Sequence, residues 1–237
     1  MNKKARDATK IYHNKLYTSK KLFQKGSSWL EKPNEEIIEI AKNNFYGKRN
    51  VRVLDLGAGV GRNAIPLAIV IGKLGGTISC VDYLDLAIDK LNKYAKEYNV
   101  NKYIKGIVSP IEAFIIEPKT YDYIIAHSVL THTESKNKMF QIVKNMVEGT
   151  KNNGINYINE ITNPREFDAE TGEKLDPDAE IDISFEEFKI FLEHAYRGWI
   201  IQSMKKNPYE ERFKKNGKEV IWTTDYLSFI AKAGTIQ

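Results

Sequence analysis

Val51-Arg-Val-Leu-Asp-Leu56 is a short apolar run that stops at Gly57-Ala-Gly-Val-Gly61, and from about Asn63 to Leu74 the chain is apolar at helical spacing. A strand that must turn into a helix through a stretch so rich in glycine has few folds open to it. Glycine reaches positive φ without strain and has no Cβ, so the turn is tight and a flat molecule can lie on its backbone. Pro66 falls in the first turn of the helix, where a missing N–H does least harm.

The alternation continues along the chain. Thr77 to Asp82, Tyr103 to Val108, Tyr121 to Ala126 and Ile155 to Ile161 are expected strands. Asn34 to Phe45, Leu84 to Tyr98 and Ser135 to Glu148 carry apolar stripes at helical spacing, the first capped by Asn34. Ser184-Phe-Glu-Glu187 is a capping box opening one more helix. Trp199 to Met204 and Val220 to Ala231 are expected to close the sheet, joined by a polar loop around Pro208 and Gly217. Strands alternating with amphipathic helices predict an α/β fold, a mostly parallel seven-stranded sheet with helices on both faces. Ligand-binding loops then lie at the carboxyl ends of the strands. One domain is expected over residues 1–237: an arm or lid at 1–33, a cofactor-binding core at 34–161, an acidic loop or lid at 162–183, and a closing helix and strands at 184–237.

No apolar block follows the polar Met1 to Thr9, and Ala64 to Leu74 is too short to span a bilayer, so a cytoplasmic protein without a membrane partner is expected. Cys80 is the single cysteine, which excludes an internal disulfide and a multi-cysteine zinc site; no metal is expected. The net charge of +5 permits an anionic partner. Lysines crowd the first 25 residues and again Lys205 to Lys218, whereas Arg165 to Glu187 is strongly acidic. That acidic stretch reads as a solvated loop, and it opposes a polyanion on its own face.

Asp82 ends the second strand about twenty residues past the glycine turn, where a carboxylate accepts ribose hydroxyls. Tyr83 and Leu84 follow it and can flank an adenine. Asp55 stands two residues before Gly57, where it would repel a pyrophosphate, and the spacing is G-x-G-x-G instead of the dinucleotide G-x-G-x-x-G. A ligand with an adenosine end and a zwitterionic amino-acid end suits these residues, and S-adenosylmethionine is such a ligand.

Val53-Leu-Asp-Leu-Gly-Ala-Gly-Val-Gly61, Cys80-Val-Asp-Tyr83 and Tyr121-Asp-Tyr-Ile-Ile-Ala-His-Ser-Val-Leu-Thr-His132 resemble, in order, three motifs of class I S-adenosylmethionine-dependent methyltransferases. Gly61-Arg-Asn63 and the segment Phe185 to Trp199 are also similar to small-molecule methyltransferases of the tellurite-resistance and thiopurine type. The resemblance implies the Rossmann-like methyltransferase fold with its last strand antiparallel. It implies that Gly57, Ala58 and Gly59 line the methionine part of the cofactor and Asp82 holds the ribose. Ser109, Pro110 and Ile111 would lie beside the adenine, and Ala126 and His127 would supply backbone near the sulfonium. Asp55, Asn63, Tyr83 and Trp29 complete the expected cofactor residues, Trp29 as part of an arm that folds over the ligand. Many relatives have an acid after the third strand; here Ser109-Pro110 stands there, leaving Ser109 Oγ or Glu112 to meet the adenine.

Methyl transfer from a sulfonium is an in-line displacement, so alignment in a dry pocket is the main requirement. A base helps a hydroxyl or ammonium nucleophile and is scarcely needed by a thiolate. His127, His132 and Glu160 are the candidate bases, with packing or structural hydrogen bonding as the competing role for each. His13 and His194 are expected at the surface or in packing, and Trp199 and Trp222 in the core. Without an Asn/Asp/Ser-Pro-Pro-aromatic run or a Pro-Cys pair, methylation of DNA bases is disfavoured. A small-molecule acceptor leads. An RNA or protein methyltransferase is the alternative, and a regulatory module that holds S-adenosylmethionine without chemistry is a further one.

Overall fold

A computed structural model describes residues 3–215 and 217–234; residues 1–2 of the expected arm, Asn216 and residues 235–237 of the closing segment lie outside it. The chain opens with α1 (Lys3–Ser19), a 3-10 turn (Ser28–Glu31) and α2 (Glu35–Phe45). Next come β1 (Arg52–Leu56), α3 (Ala64–Ile71), β2 (Thr77–Asp82), α4 (Asp85–Glu97), β3 (Ile104–Val108) and β4 (Tyr121–His127). A 3-10 turn (Leu130–His132) leads to α5 (Lys136–Gly149), β5 (Thr150–Asp168), the two-residue β6 (Lys174–Leu175), α6 (Phe185–Ala195), β7 (Ile200–Lys215) and β8 (Lys218–Lys232). The two expected helix caps are in place, the Asn34 and Ser184 side chains accepting from the N–H groups of Ile37 and Glu187, and Ser135 adds a third by accepting from Lys138 N–H.

The strands lie in the order β3-β2-β1-β4-β5-β8-β7, with β6 on the flank of β5. β1 to β5 are mutually parallel, while β8 runs antiparallel to both β5 and β7. The expected mostly parallel sheet, with its last strand reversed and helices on both faces, is therefore present. Strand periodicity divides the core. Val53, Ile78, Cys80, Tyr123, Ile125 and Tyr157 face α2, α3 and α4, and Leu54, Leu56, Val81, Ile124, Ala126 and Ile158 face α5 and α6. Among the described residues, no helix is long and apolar enough to cross a membrane.

Three expectations need correction. β5 runs for nineteen residues, well past Ile161, so the first part of the expected acidic loop is strand. It bends at a bulge between Thr162 and Arg165, where Asn163 takes φ 51°, and its far half pairs with β8 from Arg165 to Asp168. The polar loop around Pro208 is instead continuous β7, whose pairing with β8 runs to Lys215 opposite Lys218. Proline cannot donate to a ladder, but β7 is the edge strand, where that costs little. Finally, the acids of the 162–187 stretch are not all solvated. Glu166 and Asp168 are buried and meet Lys215 at 2.7 Å and Lys218 at 3.3 Å.

α6 is held on the sheet by Phe188, which is fully buried. Phe188→Ala should therefore cost about 3–5 kcal/mol in urea denaturation, and a variant as stable as the parent would show that α6 is not docked through this ring.

Candidate functional site

One cavity of about 720 Å³ opens at the carboxyl ends of β1, β2 and β4, lined by Gly57, Ala58, Gly59, Asn63, Asp82, Tyr83, Pro110, Ile111 and His127 among others. The glycine loop is shaped from outside as well as by its own turn. Gly57 has φ 70°, and a Cβ there would lie 2.4 Å from Val129 Cγ2. Gly59 has φ 53°, and its Cβ would meet the Tyr17 hydroxyl at 2.8 Å. A side chain would be strained at either position, and at Gly57 it would also collide with Val129. Asp82 closes the loop by accepting from Gly59 N–H and Leu84 N–H, each at 2.9 Å. Burial pushes its carboxyl above the usual range, against the pull of those backbone donors.

Asp55 sits beneath the loop, buried, with Oδ2 lacking a hydrogen-bond partner. Burial raises its pKa to about 7, with Arg62 opposing the shift and Asp82 adding to it. Arg62 donates to the Trp29 carbonyl at 3.0 Å and lies 5.2 Å from the Trp29 ring centroid, which holds both residues in the cavity wall. Asn63 Oδ1 accepts from Asn34 N–H at 2.9 Å.

Some expected residues lie elsewhere. Ser109 does not line the cavity; its hydroxyl donates to the Pro110 carbonyl, and Pro110, Ile111 and Glu112 form the wall instead. Glu112 is engaged by Arg6 at 3.2 Å. Ala126 is fully buried in the sheet and touches the cavity only through its neighbour His127. Asp55 likewise lies behind the lining and not in it.

The three candidate bases separate clearly. His127 Nε2 accepts from Asn34 Nδ2 at 3.0 Å, and the same amide donates to Tyr157 OH at 3.1 Å. Burial, then the Arg62 charge, lowers the His127 pKa to about 3, so the ring is neutral with its acceptor nitrogen already occupied. Glu160 is fully buried and outside the cavity lining. Its Oε2 takes the N–H groups of Val129, Leu130 and Thr131 at 3.0, 2.6 and 3.4 Å, and its Oε1 takes Thr131 Oγ1 at 2.9 Å. A carboxylate so filled is an anchor for a turn and not a base. His132 lines the cavity with Nδ1 2.8 Å from Glu180 Oε1.

The amino-terminal arm reaches the cavity with more residues than the aromatic ones expected of a lid. α1 presents Arg6, Thr9, His13 and Tyr17, a helical stripe, to the cavity, with Tyr12 beside it. His13 is thus a lining residue, and burial and the neighbouring His132 lower its pKa to about 4. The far halves of β7 and β8 contribute Tyr209, Glu211, Trp222 and Tyr226, so Trp222 is wall and not core. A helical stripe ending in Tyr17 was a usable signal for α1. The hairpin offered none, because its pairing joins residues far apart in a polar stretch.

The strand order, the glycine loop after β1 and the acid ending β2 define a Rossmann-like methyltransferase fold. The chain belongs to the tellurite resistance protein TehB family, whose model matches residues 19–208. The solved structure of TehB from Haemophilus influenzae is 23% identical with a TM-score of 0.62, covering 84% of this chain and 62% of that one. A SAM-dependent methyltransferase from Methanosarcina mazei is 16% identical with a TM-score of 0.56, over 83% of this chain and 98% of that one. The ubiquinone biosynthesis O-methyltransferase of Rickettsia canadensis is 30% identical over 128 residues, 54% of this chain and 50% of that protein. The chain spans about half the length of the curated relatives it matches.

Glu160→Gln places an amide where backbone donors converge. Stability in urea should fall by about 1–3 kcal/mol, the cost of leaving buried donors unsatisfied; unchanged stability would remove the anchoring role.

Proposed function

We propose that this chain binds S-adenosylmethionine at the glycine loop and methylates a small organic acceptor in the remainder of the same cavity. The observation that carries this is the division of the cavity: a glycine loop with a buried acid on one side, and an aromatic wall from α1, β7 and β8 on the other. The residues fit the cofactor. An ionised carboxylate has about four lone-pair sites, and Asp82 spends two on backbone N–H groups, leaving acceptor capacity for a ribose diol. Gly57 and Gly59 offer bare backbone to the amino-acid part, and Tyr83, Pro110 and Ile111 offer apolar flanks to the adenine. Asp55 keeps an unpartnered oxygen beneath the loop, behind the lining on which the amino-acid part would rest.

When bound, S-adenosylmethionine supplies a methyl group made electrophilic by its sulfonium. The chain's own contribution is positional. Trp29, Tyr17 and Tyr12 cover the cavity from the amino-terminal side, and Trp222, Tyr226 and Tyr209 from the carboxy-terminal side, which keeps water away and raises the strength of every charge interaction inside. Aromatic faces on both sides suit a planar or cationic organic acceptor.

A polyanionic acceptor is less well supported. Of the lysines in the 205–218 cluster, Lys205, Lys206, Lys215 and Lys218 are paired with Glu36, Asp225, Glu166 and Asp168. Counterion release from phosphates would require breaking those pairs.

Asp82→Ala should weaken S-adenosylhomocysteine binding by roughly 10- to 100-fold, in line with about 1.5–3 kcal/mol for a hydrogen bond to a charged group. Calorimetry with S-adenosylmethionine, S-adenosylhomocysteine and NAD checks this: tight binding of NAD alone, or an unaltered Kd in the variant, would overturn the reading.

A further inference from the structure

His132 ends the 3-10 turn that follows β4, and its place is fixed from below by the Glu160 anchor on Val129, Leu130 and Thr131. From the side, Glu180 meets its Nδ1 at 2.8 Å. The Glu180 side chain is only 3% exposed, whereas that of His132 is 31% exposed and lines the cavity. A carboxylate on Nδ1 fixes the tautomer that carries its proton there and leaves the lone pair on Nε2. Among the described residues, Nε2 has no hydrogen-bond partner. His127 and Glu160, the other candidate bases, have their acceptor atoms filled.

We infer that His132 is the general base that takes the acceptor's proton, that Glu180 is its positioning residue, and that the acceptor is a proton-bearing nucleophile, a hydroxyl or an ammonium group. The inference rests on the methyl-transfer reading above. The acceptor X–H gives its proton to Nε2 and keeps the bonding pair; that pair forms the X–CH₃ bond while the C–S pair departs with sulfur. The positive charge lost at sulfur is the charge gained by the imidazolium, which then releases its proton to solvent.

The groups around the ring suit this role. Glu180 precedes α6, Glu160 lies on β5, Asp82 ends β2, and His13 faces the ring from α1 with centroids 6.4 Å apart. Burial alone would lower the His132 pKa, but the Glu180 hydrogen bond and charge, then Glu160 and Asp82, carry it above its ordinary value. Glu180 is held low in turn: burial works to raise it, and the bond from His132 prevails. His13, at about 4, stays neutral and does not compete for the proton. Because a base must be deprotonated to act, the rate should rise with pH through the His132 titration.

The test uses the full chain, histidine NMR titrations, calorimetry with S-adenosylmethionine, and methyl transfer to catechol, benzylamine and thiophenol. Expected results are transfer to the hydroxyl or amine probe with a rising pH limb at the His132 pKa, and a kcat loss of about 100-fold in His132→Asn with S-adenosylmethionine affinity retained. Glu180→Gln should move the His132 titration to lower pH and cut kcat, and Glu180→Asp should restore part of both. A structural latch would instead lose cofactor affinity together with rate, and that result overturns the inference. So does an unmoved His132 titration in Glu180→Gln, or cofactor binding with transfer to thiophenol only or to none of the probes. Failure of the unsubstituted chain to bind S-adenosylmethionine would strike the proposed function first, and this inference with it.

Discussion

A carboxylate taken out of water costs several kcal/mol unless its lone pairs find donors, and Glu160 finds them in the backbone of one turn. Three consecutive N–H groups and the Thr131 hydroxyl converge on it. Successive backbone N–H groups make a concave anion site by geometry alone; here the anion belongs to the neighbouring strand. The consequence spreads in both directions. Val129 is held against Gly57, which is why that glycine admits no Cβ, and His132 is held at the cavity. One buried carboxylate midway along β5 thus sets both the outer wall of the glycine loop and the position of His132.

The carboxyl rim of a parallel sheet is normally finished by loops. In this chain a three-stranded antiparallel extension finishes it. β5 bends at Asn163, whose side-chain Nδ2 donates to Asp225 Oδ2 at 2.7 Å and whose Oδ1 accepts from Phe185 N–H at 3.3 Å, so one residue ties β8 and the start of α6 to the bend. Past the bend, the acids of β5 and the lysines of the hairpin neutralise each other. Lys215 reaches both Glu166 at 2.7 Å and Asp178 at 2.8 Å. Lys215 and Lys218 thus join the end of the hairpin to the acidic stretch, while Lys205 and Lys206 pair with Glu36 and Asp225 instead.

The parts readable in advance were those whose logic is local. A strand, a glycine turn and a helix within about twenty residues declare themselves, as does an acid at the end of the next strand. Asn34 and Ser184 announced their helices because a cap acts on residues three positions away. The hairpin's share of the cavity was hidden because it meets α1 from the opposite end of the chain. His13 and Trp222 line one cavity although more than two hundred residues separate them. Pro208 argued for a loop, since only the sheet order shows that its strand is at an edge. Glu160 could be read as a base or an anchor because its partners are backbone groups, which no sequence pattern displays.

The family match and the cavity divide along the same line. Residues 19–208 include the glycine loop, Asp82, the turn after β4 and Glu180. Arg6, Thr9, Tyr12, His13 and Tyr17 precede that segment, and Tyr209, Glu211, Trp222 and Tyr226 follow it. The match therefore spans the glycine loop, Asp82 and the His132–Glu180 pair, and the walls from α1 and the end of the hairpin lie outside it. Among the described residues of α1, Ala5 and Tyr17 are buried while Ile11 is 69% exposed. Arg6 meets Glu112 at 3.2 Å and lies over the Tyr83 ring, so residues that line the cavity also fasten the helix to its rim. A wall tied through its own lining residues is coupled to whatever the cavity holds, and this one carries His13 beside His132.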